Sequence, residues 1–132
     1  MKIDDKLLKD SLIESKIPAN DFALISKENK TKILSKYVDN TQLNSGRFLR
    51  YFECLKDLGK VYYGVEAIRA ILELPLEGDF FIFTEKGDDI YKISGWNNIK
   101  LIIPQLPSSL DVYITDVNLD TARLLATNYH KN

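Results

Sequence analysis

Residues Asp79 to Ser94 read DFFIFTEKGDDIYKIS. Two runs, Asp79–Thr84 and Ile90–Ser94, carry the aromatic and β-branched side chains that favour a pleated backbone. Between them stands Glu85-Lys86-Gly87-Asp88-Asp89, a cluster of turn-forming residues. The pattern predicts a β-hairpin, with Gly87 supplying a left-handed position in its turn. Phe80, Phe81, Ile82 and Phe83 are apolar without alternation. A strand of that kind is expected at the centre of a sheet, covered on both faces.

Downstream of the hairpin, Ser94-Gly95-Trp96-Asn97-Asn98 opens a short helix over Ile99, Leu101, Ile102 and Ile103, which Pro104 kinks or ends. Leu110–Thr115 reads LDVYIT and alternates cleanly, which predicts a third strand. Asp116 or Asn118 then caps a terminal helix running through Leu119, Ala122, Leu125, Ala126 and Tyr129.

Upstream the period changes to that of helices. Residues 4–16 place Leu7, Leu8, Leu12, Ile13 and Ile17 on one broad side, and Pro18 stops the pattern. Asp21 caps a short helical turn carrying Phe22 and Ile25 in an otherwise ambiguous segment. Residues 28–38 put Ile33, Leu34, Tyr37 and Val38 on one face, with Lys27, Lys30, Lys32 and Lys36 on the solvated remainder; a phosphate-binding role for these lysines is the lesser reading, because Glu28 and Asp39 interrupt the set and no aromatic stacking partner is interleaved. Residues 47–58 read as a helix that Ser45 caps and Gly59 closes, and residues 62–74 as another that Pro75 ends. The fold class is therefore α+β: N-terminal helices followed by a small antiparallel sheet of about three strands with covering helices, in a single domain spanning residues 1–132.

Composition narrows the function classes. The 132 residues carry 18 Lys+Arg against 19 Asp+Glu, a formal net charge of −1. That balance argues against a general nucleic-acid binder, which needs a cationic face. No apolar run reaches the roughly 18 residues of a membrane span. The N-terminus mixes acids and bases through its apolar residues, unlike a signal peptide. A soluble protein of a reducing cytoplasm is expected. The lone Cys54 permits neither an internal disulfide nor a cysteine zinc cluster and reads as a buried thiol; His130, near the chain end, reads as a surface residue.

Motifs for chemistry are scarce. There is no phosphate-binding glycine loop, nucleophile elbow or His-Glu-x-x-His pair. Asp116-Val117-Asn118-Leu119-Asp120 has the alternating oxygens of a calcium loop, but Thr121 and Thr127 stand where that loop needs glycine and glutamate. Neither metal nor cofactor is expected.

Charge is unevenly spread: the first 60 residues balance at +3 and the rest at −4. The acids of the second half gather in predicted turns and strand ends, as caps and turn formers do. They can equally form an acidic face for a basic partner. Tyr62, Tyr63, Tyr91, Trp96 and Tyr113 are candidates for the core or, where exposed, for interface anchors.

The closing segment LDVYITDVNLDTARLLATNYHKN, with the hairpin and the turn from Ser94 to Lys100 before it, resembles SUKH-like bacterial immunity and related uncharacterised proteins over about residues 79–130. In that family the last helix tends to end in an Asn-His-His-type sequence, where this chain has Asn128-Tyr129-His130. The resemblance implies a small non-enzymatic protein that binds a cognate toxin, itself basic in many cases, and occludes its active site. Contacts are then expected from Glu85, Asp88, Asp89, Asp116 and Asp120, with Trp96 as an anchor. Two other readings stay open. One is an adaptor or subunit of a bacterial or phage assembly that binds through the aliphatic cluster Ile99–Ile103. The other is a small metal-dependent hydrolase using acids such as Asp116 and Asp120.

Overall fold

The computed structural model describes residues 1–25, 27–39, 41, 51, 69, 72–73, 76–119 and 125–127. Its elements are helix α1 (Ile3–Glu14), strand β1 (Phe22–Ile25), helix α2 (Glu28–Tyr37), strands β2 (Asp79–Thr84) and β3 (Ile90–Ser94), helix α3 (Trp96–Ile102), and strands β4 (Val112–Asp116) and β5 (Leu125–Thr127). Short 3-10 turns, Ala19–Asp21 and Ile103–Gln105, lead into β1 and out of α3. The class is α+β. Among the described residues, no helix is long and apolar enough to cross a membrane.

One antiparallel sheet runs in the order β1-β3-β2-β4-β5. The hairpin forms with Asp79 opposite Ser94 and Phe83 opposite Ile90. β2 is the middle strand, which explains its unbroken apolar run. Phe80 and Ile82 join Tyr91, Ile93, Val112 and Ile114 on one face, beneath Leu8 and Leu12 of α1 and Trp96, Ile99 and Ile102 of α3. Phe83, Ile90 and Tyr113 form the other face, beneath Ile33 and Tyr37 of α2. The sheet thus lies between helices on both sides, and its inner strands need no polar face.

Among the described residues the sheet has five strands rather than about three. The short turn expected at Phe22–Ile25 is instead a strand, paired along β3 from Phe22 opposite Ile93 to Ile25 opposite Ile90. Four residues are too few to recover the cost of a helical nucleus, and the available edge of β3 satisfies their backbone. Asp21 lies in the 3-10 turn that precedes them.

The second added strand falls within the expected terminal helix. Leu125–Thr127 pairs with β4, Val112 lying opposite Thr127 and Ile114 opposite Leu125. After β4 the backbone turns sharply at Leu119, which has φ +56° and donates its N–H to the Asp116 carbonyl at 3.1 Å. Most of the expected helices over residues 47–58 and 62–74, and residues Cys54, Asp120 and His130, lie outside the described residues; of the first, Tyr51 is described and sits in a 3-10 turn. Arg69 and Leu72 of the second helix are helical, and the Glu73 N–H donates to the Arg69 carbonyl at 3.1 Å.

Candidate functional site

The hairpin turn from Glu85 to Asp89 is gripped from both faces of the sheet. α1 supplies Asp5, which continues its buried stripe one turn before Leu8 and Leu12. Its two carboxylate oxygens accept the backbone N–H groups of Asp88 and Asp89, each at 3.0 Å. Asp5 is only 3% exposed, and these charge-assisted bonds satisfy it.

α2 supplies the opposite chemistry. Lys30 continues the stripe of Ile33 and Tyr37, and is 8% exposed. Its Nζ donates to the Thr84 carbonyl at 2.8 Å and to the Gly87 carbonyl. It also lies over the rings of Tyr51 and Phe83, 5.2 and 5.7 Å from their centres. Burial lowers its pKa, against the pull of the Glu85, Asp88 and Asp5 charges. Lys27, Lys32 and Lys36 are exposed as the sequence suggests, whereas Lys30 is not on a solvated face.

Gly87 answers to space rather than to backbone angle. The described glycines with positive φ are Gly78 and Gly95, not Gly87. A β-carbon at Gly87 would collide with the Asp5 carboxylate and the Thr84 hydroxyl. The Gly87 N–H donates to that hydroxyl at 2.9 Å. Only glycine lets the turn sit this close to its clamp.

Glu85 belongs to the clamp and not to the free surface. Its Oε1 accepts from the Tyr113 hydroxyl at 2.9 Å and from the Tyr51 N–H at 2.7 Å. Burial raises its pKa despite those bonds and the nearby Lys30. Tyr51 is pushed up to about 12 by burial, with the Glu85 and Asp88 charges adding to it, so its hydroxyl stays protonated.

The half-exposed carboxylates of Asp88 and Asp89 remain on the outside. Asp88 pairs with Lys2 at 3.2 Å, and that hydrogen bond lowers its pKa. Burial raises the pKa of Asp89, and the neighbouring Asp5 and Asp88 charges act in the same sense.

The other sequence-derived candidates are elsewhere. Trp96 is 6% exposed and packs on Phe80 with ring centres 5.2 Å apart, so it anchors the core and not a surface. Asp116 is buried at the far end of β4, opposite Phe80, whereas the turn follows Thr84. At roughly 3.4 Å per residue the two ends of β2 are about 15 Å apart. Glu85, Asp88 and Asp89 are therefore brought together, Trp96 and Asp116 are not with them, and Asp120 lies outside the described residues.

Ile99, Ile102 and Ile103 are buried as well, leaving Leu101 as the exposed member of that aliphatic cluster. Among the described residues, no three His, Cys, Asp or Glu side chains gather as metal ligands.

Asp5 and Lys30 were missed because turn clamps have no motif. The available signal was positional: each stands three and seven residues before apolar members of its helix stripe, where a charge must be buried. Beside the turn, an open groove of about 470 Å³ is lined by both charges, Lys2, Lys27, Lys30 and Lys86 against Glu28, Glu85 and Asp88. Comparison with family models, curated proteins and solved structures finds no match to this chain.

Proposed function

We propose that this chain is a non-enzymatic binding protein, an immunity-type inhibitor that presents the acidic hairpin turn to a basic partner such as a cognate toxin domain. The observation that carries the reading is the clamp itself. A surface loop ordinarily loses conformational freedom on binding, which weakens association. Here Asp5 holds two N–H groups and Lys30 holds two carbonyls. Asp88 and Asp89 are thus offered on a backbone already fixed, and fixed charges steer encounter as well as select the partner. The contact set is reduced to Asp88 and Asp89, with Glu85 as a support behind them.

The clamp grips backbone atoms at residues 88 and 89, so their side chains can be exchanged with the turn intact. The double substitution Asp88→Lys with Asp89→Lys tests the reading in a tagged capture from the native host at low and high salt. The wild type is expected to retain one stoichiometric partner at low salt and release it at high salt. The double variant, with an unchanged urea midpoint, is expected to lose it. A partner held equally by both chains at all salt concentrations would reject the acidic-turn model. Toxicity of the partner expressed alone, relieved by co-expression of this chain, separates an inhibitor from an adaptor.

A further inference from the structure

We propose that the outer edge of β1 is a contact surface for a second copy of this chain, the two β1 strands pairing antiparallel across a two-fold axis to continue the sheet. Three observations lead there. First, among the described residues β1 ends the sheet and pairs only with β3. Alternate residues of such a strand turn their N–H and C=O groups outward, where another strand can take them. Edge strands are ordinarily guarded by a charged side chain or a proline, and Phe22-Ala23-Leu24-Ile25 carries neither. Ala23 and Leu24, on opposite faces of the strand, are both exposed.

Second, the large apolar side chains left open at this edge share one face. Phe22 packs against the core beneath α1 and α3, and Leu24, two residues on, lies on the same side yet is 60% exposed. On α3, the Asn98 side-chain amide donates to the Asp21 carboxylate at 3.0 Å, so that side of the helix faces the start of β1. Leu101 stands one turn further along the same side and is 51% exposed. A two-fold axis perpendicular to the sheet keeps this face on one side in both copies, and so groups Leu24 and Leu101 of one with those of the other. Third, charge sets the register. With Leu24 opposite Leu24 of the second copy, Ala23 falls opposite Ile25, and the half-exposed Asp21 falls level with the exposed Lys27, once at each end. With Ala23 on the axis instead, Asp21 would face Ile25 and both charge pairs would be lost. Four-residue strands alone bury less than the roughly 1,000 Å² of a stable interface, so the association is expected to be reversible and concentration-dependent.

The test is sedimentation equilibrium of the full chain from micromolar to millimolar concentration. The mass is expected to rise from that of one chain towards that of two. Leu24→Lys and Leu101→Lys replace exposed side chains, so each is expected to keep the urea midpoint of the dilute wild type. Leu24→Lys sets two like charges opposite one another and is expected to weaken association at least about tenfold. Leu101→Lys is expected to weaken it in the same direction. Oxidative cross-linking in a Cys54→Ser background reads the register. Leu24→Cys is expected to form a covalent dimer, because directly opposite α-carbons lie within about 5.5 Å, inside the range of a disulfide. Ala23→Cys, whose two copies stand diagonally in this register, is expected not to. A chain that stays monomeric at millimolar concentration, a dimer that Leu24→Lys leaves unchanged, or cross-linking at Ala23 rather than Leu24 would overturn the proposal. A monomer whose β1 amides all resist exchange would give the edge to another segment of the chain, with the same consequence. None of these variants alters Asp88 or Asp89, so the acidic turn stands or falls on its own test.

Discussion

Asp5 offers acceptors and Lys30 offers donors to one short turn, and Gly87 is what allows Asp5 to come so close. The substitution Gly87→Ala therefore forces the Asp5 carboxylate or the Thr84 hydroxyl to move. A loss of about 1–3 kcal/mol is expected from overpacking at a buried position. Urea unfolding measures it, and a loss within experimental error would mean that the turn adapts freely.

Glu85 gives a second residue-level test. Burial holds its pKa above the usual carboxylate range, so the folded chain keeps this proton more tightly than the unfolded chain. The resulting stability is complete below the unfolded value and is lost as pH rises through the folded one. Asp89 has the same sign, and Asp88, lowered by Lys2, has the opposite. Glu85→Gln keeps an acceptor for Tyr113 and Tyr51 and removes the charge. The stability difference between variant and wild type is expected to grow in favour of the variant from the ordinary carboxylate range towards neutral pH. Parallel pH profiles would show that the charge of Glu85 carries no such cost.

At the scale of elements, strand position sets the energetic hierarchy. Ile82 is fully buried in the central strand, so Ile82→Ala is expected to cost about 2–5 kcal/mol. Leu24 on β1 is 60% exposed, and Leu24→Thr is expected to fall within about 0.5 kcal/mol of the wild type. Comparable losses in equilibrium unfolding would contradict this order. The same hierarchy explains what could be read from the sequence. The hairpin and β4 were legible because their patterns are long and dense in apolar residues. β1 and β5 were not, because three or four residues carry too little period and their structure is set by the edge they find. Leu125 and Ala126 fit a helical stripe on paper, yet at Leu125–Thr127 tertiary pairing with β4 prevails over local pattern.

At the scale of the molecule, the two helix layers do more than cover a sheet. α1 packs on one face and α2 on the other, and each extends its apolar stripe by a charged residue that meets the turn. The acids of the turn were legible as a cluster, but their roles were not. Glu85 faces inward to tyrosines distant in sequence, while Asp116, similar in composition, is buried at the other end of the sheet. Such distinctions depend on register and on which end of a strand a residue reaches. The sequence shows neither until the strands are paired.

The central claim is that the turn is held rigid before any partner arrives, and hydrogen exchange at the Asp88 and Asp89 amides tests it most directly. Both N–H groups donate to the buried Asp5 carboxylate. In the wild type they are expected to exchange at least about tenfold more slowly than unprotected loop amides, as a fixed hydrogen bond requires. In Asp5→Ala that protection is expected to vanish, while the amides of Ile82 and Tyr91 in the sheet keep theirs. Exchange of the two turn amides at unprotected rates in the wild-type chain would contradict the account.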